Sequence, residues 1–338
     1  MLLIGTGMLP AQAGGRHPGP DHAGGTTLVW SRLTADRDAA QVVRSDDGGR
    51  TVRAVTAAVP GVYDMDPQLS PDGRTVLFER DLPDGTEIGV VGVDGKHARV
   101  LDLGCTGWCD DQAPTWDTDG RHFFVTRVLG PFDEAGNLAS AVLRRVDLRT
   151  GASVRFSEPG IDGVFEDYRA SVAPDGTIVF SRVRNPTVEG EQVDVAAFRM
   201  DRDGTHVRRL TPWALRGDHA QAPTARTGPG RGLVVFETYG TGGAPDGTVA
   251  AVATVPLDCR PLASCEKRIR YLTSPSASTP SFNPAFSPDG RRVVYVHVDE
   301  ETGAGDLWTV RTRGGHAHRV TDSPLFDLRP DWGVRARR

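Results

Sequence analysis

The sequence predicts an all-β chain, a six-bladed β-propeller of four-stranded antiparallel blades, and three observations predict it. A phrase of proline, one residue, an aromatic or leucine, a turn and a strand recurs at intervals of 46 to 61 residues. Each unit closes on a short phrase such as "VRRLT" (207–211) or "HRVT" (318–321), usually after a glycine-bearing turn. The first and last units are fragments that complete one another. Self-similarity at such a period marks a propeller or solenoid, because one unit cannot bury both its faces alone.

The units read in order as follows. Openings stand at Pro67, Pro114, Ala170, Pro223 and Pro284 in "DPQLSPDGRTVLFER" (66–80), "APTWDTDGRHFFVTR" (113–127), "RASVAPDGTIVFSR" (169–182), "APTARTGPGRGLVVFET" (222–238) and "NPAFSPDGRRVVYVH" (283–297). Asp-Gly and Gly-Gly supply the positive φ that tight hairpins need. They stand between the first two strands of a unit and again before its last, as at Asp94-Gly95, Asp203-Gly204 and Gly314-Gly315. Residues 26–56 supply three later strands without an opening one, and "RPDWG" (329–333) supplies an opening strand and nothing after it. Pairing the two ends in one blade closes the ring and removes exposed strand edges. The domain is therefore expected over 26–333, with a basic tail at 334–338.

Composition narrows the function classes. Charged residues are 25%, hydrophobic residues 38%, and the net charge is −5. Basic residues are scattered, apart from Arg335, Arg337 and Arg338, so a nucleic-acid partner is not expected. No apolar run reaches the length of a membrane span. Residues 1–25 begin with an apolar stretch, Leu2 to Pro10, and Ala11-Gln12-Ala13 has the small-x-small form of a signal-peptidase site. They are expected to be a signal-peptide remnant and flexible leader of a secreted, extracytoplasmic protein. Cys105 and Cys109, and Cys259 and Cys265, are local pairs in loop-like text. Local pairing, Cys105–Cys109 and Cys259–Cys265, costs least in chain closure and suits an oxidising compartment. A four-cysteine zinc site fits poorly, since three and five residues separate the cysteines where two is usual.

The repeat P-x-[WFL]-S-P-D-G-[KR]-x-[IV]-x-[FY], with units ending in [RK]-x-[LV]-T, resembles the WD40-like (PD40) repeat of TolB-type propellers. Pro284 to Tyr295 and Pro67 to Phe78 carry the resemblance best, and it extends over residues 26–333. It implies a binding or scaffold module, with a protein, peptide or cell-wall glycan held at the channel mouth. A closed ring of this kind is expected to be stable as a monomer. Segments 128–141, 183–192, 239–247 and 274–282 are the expected contact loops.

Catalytic motifs are sparse. There is no G-x-S-x-G elbow of the kind that joins propellers to hydrolase domains in prolyl-oligopeptidase-type peptidases. Ser264 and Lys267 form S-x-x-K beside Cys265, a motif too short to carry chemistry by itself. "SDDGGRTV" (45–52) resembles the Asp-box of sialidase-type propellers, a structural hairpin in which Asp47 caps its own turn. TolB-like propellers include a pectin-oligomer lyase type that uses histidines and a metal, and His122, His219 and His297 would be the equivalents. A carbohydrate-active enzyme, lyase or glycosidase, with an axial site is thus the alternative function.

The candidate binding residues are acidic. Asp64, Asp111, Asp167, Ser281 and Asp327 stand three before the blade openings, and Asp218 stands five before Pro223. Such a ring at one channel mouth suits Ca²⁺ or a basic group of a partner. Turn capping by the same carboxylates is the other reading.

Overall fold

A computed structural model describes residues 25–105, 109–130, 140–160, 164–185, 193–221, 230–239 and 250–336. The expected leader, most of the proposed contact loops and the opening at Pro223 lie outside these residues. The chain is built almost wholly of short strands. They form four separate four-stranded antiparallel sheets and one eight-stranded sheet. The eight-stranded sheet is two four-stranded sets joined by a single parallel bridge, Ala40 to Tyr63.

The last strand, Asp327–Val334, pairs antiparallel with the first, Thr26–Leu33, in the register Leu28 to Trp332 and Arg32 to Asp327. "RPDWG" is therefore the inner strand of the sheet that the N-terminus continues, as the repeat count requires. The inner strands are Tyr63–Leu69, Cys109–Trp116, Phe165–Val172, Gly217–Gln221, Ser281–Phe286 and Asp327–Val334. Each contacts the next in that order, and the last contacts the first.

The middle strands of each sheet are buried in continuous runs, as in residues 234–238 and Ala251–Pro256, and the buried faces meet between neighbouring sheets. Leu77, Ile88 and Val90 pack on Trp116, Phe123 and Val125 of the following sheet. Trp30, Val43 and Trp332 of the closing sheet pack on Val294, Val296 and Leu307. Burying both faces of each sheet in this way is what holds a ring of blades together.

The repeated phrases have visible causes. In "SPDG" the Ser70 hydroxyl donates to Asp72 Oδ1 at 2.6 Å, and Ser287 does the same to Asp289. The unit-ending threonine or serine accepts the backbone N–H of a third strand: Val42 to Thr56, Leu143 to Ser157, Ala197 to Thr211 and Leu307 to Thr321, at 2.9–3.0 Å. In the Asp-box segment, Asp47 Oδ1 accepts the Thr51 N–H at 2.9 Å, as expected of a capped turn.

Both local disulfides are present, Cys105–Cys109 and Cys259–Cys265. Intact mass measurement of the unreduced protein is expected to find no alkylatable thiol. Modification of any cysteine before reduction would contradict the pairing.

Candidate functional site

Every inner strand bulges at the same place. Asp66, Ala113, Arg169, His219, Asn283 and Arg329 have φ between 45° and 55°, a left-handed conformation uncommon outside glycine. The strand registers shift at these points. A bulge re-aims side chains and leaves a backbone N–H unpaired. Most of these amides are accepted by a side chain of the preceding sheet. Ala113 N–H donates to Glu79 Oε2 at 2.6 Å, Arg169 N–H to Thr126 Oγ1 at 3.0 Å, Asn283 N–H to Glu237 Oε2 at 2.6 Å and Arg329 N–H to Asn283 Oδ1 at 3.3 Å. The bulges thus tie neighbouring sheets together where the inner strands converge.

The bulge side chains form one charge network around the buried Asp66, with its arginines about a quarter exposed. Arg169 and Arg329 both donate to Asp66 Oδ2, and His219 Nε2 lies 3.9 Å from Asp66 Oδ1. Burial pushes the Asp66 carboxyl up, but Arg329 and Arg169 outweigh it and hold the group well below the carboxylate range. His219 Nδ1 is 2.9 Å from Glu237 Oε1, which also accepts from Tyr239 Oη at 2.5 Å. Burial and Arg169 lower the imidazole's proton affinity, yet Glu237 and Asp66 prevail and raise it. Burial opposes ionisation of Glu237, but His219, Tyr239 and the Asn283 N–H bring it down to about 2. Glu79 goes the other way: burial, then Asp66 and Asp81, push it up to about 8, so it is protonated at neutral pH.

The acidic positions predicted from the repeats have a different setting. Asp64, Asp111, Asp167 and Asp327 are buried, and each is gripped by an arginine directly opposite on the adjacent strand. The pairs are Arg80–Asp64, Arg127–Asp111, Arg182–Asp167 and Arg32–Asp327, each through two bonds of 2.6–3.0 Å. Ser281 and His297 take the same cross-strand place at 3.0 Å. Paired carboxylates of this kind secure neighbouring strands and do not converge on a shared Ca²⁺.

Asp218 does not belong to that series. The bulge at His219 makes Ala220 the equivalent of the opening prolines, so Gly217 holds the acidic position. A Cβ at Gly217 would meet Thr211 Oγ1 at 3.0 Å and Phe236 at 3.1 Å, so a side chain there would crowd both neighbours. Asp218 instead accepts the His219 N–H at 2.7 Å and, with His219 and Glu237, forms the one potential metal-holding group among the described residues.

The three histidines are not brought together. His122 contacts Asp119 and Asp147 beside a turn, His219 belongs to the bulge network, and His297 contacts Ser281 and packs edge-on against Trp308. Ser264 and Lys267 lie at a five-residue helix whose Cys265 is in a disulfide.

Beyond the bulge, where the inner strands end, lies a pocket of about 250 Å³. Gln68, Thr115, Ser171, Gln221 and Asp331, each two residues past its bulge, line it together with Trp116 and Trp332. Two carboxylates reach the pocket. Asp117 is already paired with Arg145 at 2.6 and 2.9 Å. Asp331 is 8% exposed and, among the described residues, accepts backbone N–H groups alone, with Leu69 N at 2.8 Å. Burial without a basic partner pushes it up from 3.8 to about 6.

A carboxyl that binds its proton more tightly when folded is least costly at low pH. Its penalty grows as pH rises from about 4 to 6 and is full above that, roughly 3 kcal/mol. Asp331→Asn is therefore expected to stabilise the protein by about 2–3 kcal/mol at pH 8 and to change little at pH 4. Urea unfolding at the two pH values measures this, and equal differences at both would refute it.

Sequence reasoning missed both the bulge network and Asp331. The signal was present in the residues on either side of each opening position, but neither side keeps one residue type from unit to unit.

No family model matches the chain. A stretch of 96 residues is 32% identical to the uncharacterized peptidase YuxL of Bacillus subtilis (strain 168), covering 26% of this chain and 14% of that protein's length. Among solved structures, TolB from Acinetobacter baumannii superposes with a TM-score of 0.64 at 18% identity, covering 93% of this chain and 67% of that one. Hydrazine synthase from Kuenenia stuttgartiensis gives 0.67 at 16% identity, covering 96% and 50%. An oligogalacturonate lyase in complex with manganese gives 0.51 at 17% identity, covering 88% and 78%. Among the described residues no helix is long and apolar enough to cross a membrane. At these identities the likeness speaks to fold, and in fold the chain is a TolB-like β-propeller.

Proposed function

We propose that the protein is a six-bladed, extracytoplasmic binding module that holds part of a protein, peptide or glycan ligand in the pocket at the ends of its inner strands. The single observation carrying this reading is the contrast between network and pocket. At the bulges the charges neutralise one another, whereas the pocket offers amides, hydroxyls, two indoles and one uncompensated carboxylate. That is recognition chemistry on a rigid scaffold. The two disulfides support an oxidising compartment, and the cyclic contacts of the inner strands support six blades.

Peptide and oligosaccharide panels probed with the wild type and with Thr115→Phe, which places a ring in the pocket, test the reading. Ligands captured by the wild type and lost by the variant are expected. Panels whose captures are all indifferent to the variant would sink it.

A carbohydrate-active enzyme is the second reading, and one observation favours it: the ligand atoms of Asp218, His219 and Glu237 lie within 4.8 Å of one another. Against it, both Glu237 oxygens are occupied by His219, Tyr239 and Asn283. Unsaturated product released from polygalacturonate in the presence of Mn²⁺, and lost in Glu237→Gln, would establish the lyase.

A further inference from the structure

The pocket's chemistry narrows its occupant, and the argument rests on the binding-module reading. Its volume, about 250 Å³, is below the roughly 300–1,000 Å³ of sites for drug-sized ligands. It is a side chain's space and not an oligosaccharide's. At its wall stands Asp331. Most of the other carboxylates buried on the inner strands show what such a group has beside it; Glu166, which accepts from the Tyr168 hydroxyl, is the exception. Asp64, Asp66, Asp111, Asp167 and Asp327 each hold at least one arginine. Asp331 has no basic partner among the described residues, and the pocket's second carboxylate, Asp117, is taken by Arg145.

From this we infer that the pocket receives an ammonium group on a flexible alkyl stem, the chemistry of a lysine side chain presented by a peptide or protein. The charge supplies what Asp331 lacks. The walls supply the rest: Trp116 and Trp332 flank the pocket with Pro71, Pro174 and Pro288, an apolar sleeve against which a methylene stem packs and whose indoles favour a cation.

Geometry selects lysine over arginine. A guanidinium fork is matched best by both oxygens of a carboxylate. Asp331 Oδ2 is held by the Leu69 N–H at 2.8 Å, so a point charge with rotatable donors fits the remaining oxygen better than a planar fork. Gln68, Thr115 and Gln221 around the pocket offer side-chain oxygens to the ammonium's other protons.

The test is calorimetric titration of the full chain at pH 8 with N-acetyl-lysine N-methylamide. Parallel arms use the norleucine and arginine analogues and calcium chloride. The lysine probe is expected to bind at least about tenfold more tightly than the norleucine and arginine probes. Asp331→Asn, which keeps an acceptor for Leu69, is expected to remove that advantage, so that the lysine and norleucine probes bind it alike. Three outcomes would overturn the inference: norleucine binding as well as lysine, an unaffected Asp331→Asn variant, or calcium occupying the Asp331 site and excluding the lysine probe. No heat from any probe would also overturn it. The binding-module reading fails separately, since a neutral ligand captured from the panels and lost in Thr115→Phe would preserve that reading while removing the lysine one.

Discussion

Ending the chain after Phe326 is expected to abolish cooperative folding. The truncation removes Asp327–Val334, the inner strand that pairs with Thr26–Leu33. It takes away Trp332, 3% exposed and packed among Leu28, Trp30 and Val294. Loss of one such aromatic costs about 3–5 kcal/mol by itself. It also leaves Arg32 without Asp327, Asp66 without Arg329 and the Leu69 N–H without Asp331. Together these approach the whole stability of a typical domain, about 5–15 kcal/mol, and the newly unpaired edge of Thr26–Leu33 invites aggregation. Ending the chain at Val334 is the control. Beyond that residue, among the described residues, the backbone contributes one hydrogen bond, Arg335 N–H to Gly25 at 3.1 Å, so a change under about 1 kcal/mol is expected. Thermal melts followed by circular dichroism compare the two. A cooperative, unshifted melt of the shorter chain would show that the ring does not depend on its closing strand.

Replacing Asp66 by asparagine is expected to destabilise the protein by about 3–5 kcal/mol, the usual cost of stripping one partner from a buried charge cluster. Asp66 answers two guanidiniums and lies near the His219 imidazole. Without it Arg169 and Arg329 face one another with no anion between them. The effect has a pH signature. The Asp66 carboxyl is held below its unfolded value of 3.8, so its stabilisation is present above that pH and is lost as pH falls towards the folded value. The difference between wild type and Asp66→Asn is therefore full at pH 7 and shrinks below about pH 4. Urea unfolding across that range measures it. A difference that stays constant with pH would mean that packing, and not charge, explains the loss.

Much of the fold was legible because its causes are local. Serine–aspartate turns such as Ser70 with Asp72 act within a few residues, and the threonine that ends a unit acts across one hairpin. Their residue types therefore recur in the text at fixed spacing. The unit that lost its Asp-Gly turn is where the reading slipped. With no repeat letters to anchor it, Pro223 stood in for Ala220, and Asp218 entered a series whose place Gly217 holds.

The site was less legible because its causes are not local. By itself the sequence determined the strands, the turns, the closure by "RPDWG" and the recurring acidic position of Asp64, Asp111, Asp167 and Asp327. Which of those acids is neutralised was decided by tertiary structure. Asp64 meets Arg80 across one hairpin, whereas Asp66 meets Arg329, 263 positions away, through bulges that bring distant sheets to one axis. Asp331 and Asp327 are four residues apart in one strand and alike in type. Arg32 lies opposite Asp327, while Asp331 turns into a pocket where the described residues give it backbone N–H groups and no arginine. The energy of a buried charge depends on what stands within a few ångströms of it, and in a closed ring those neighbours come from other blades.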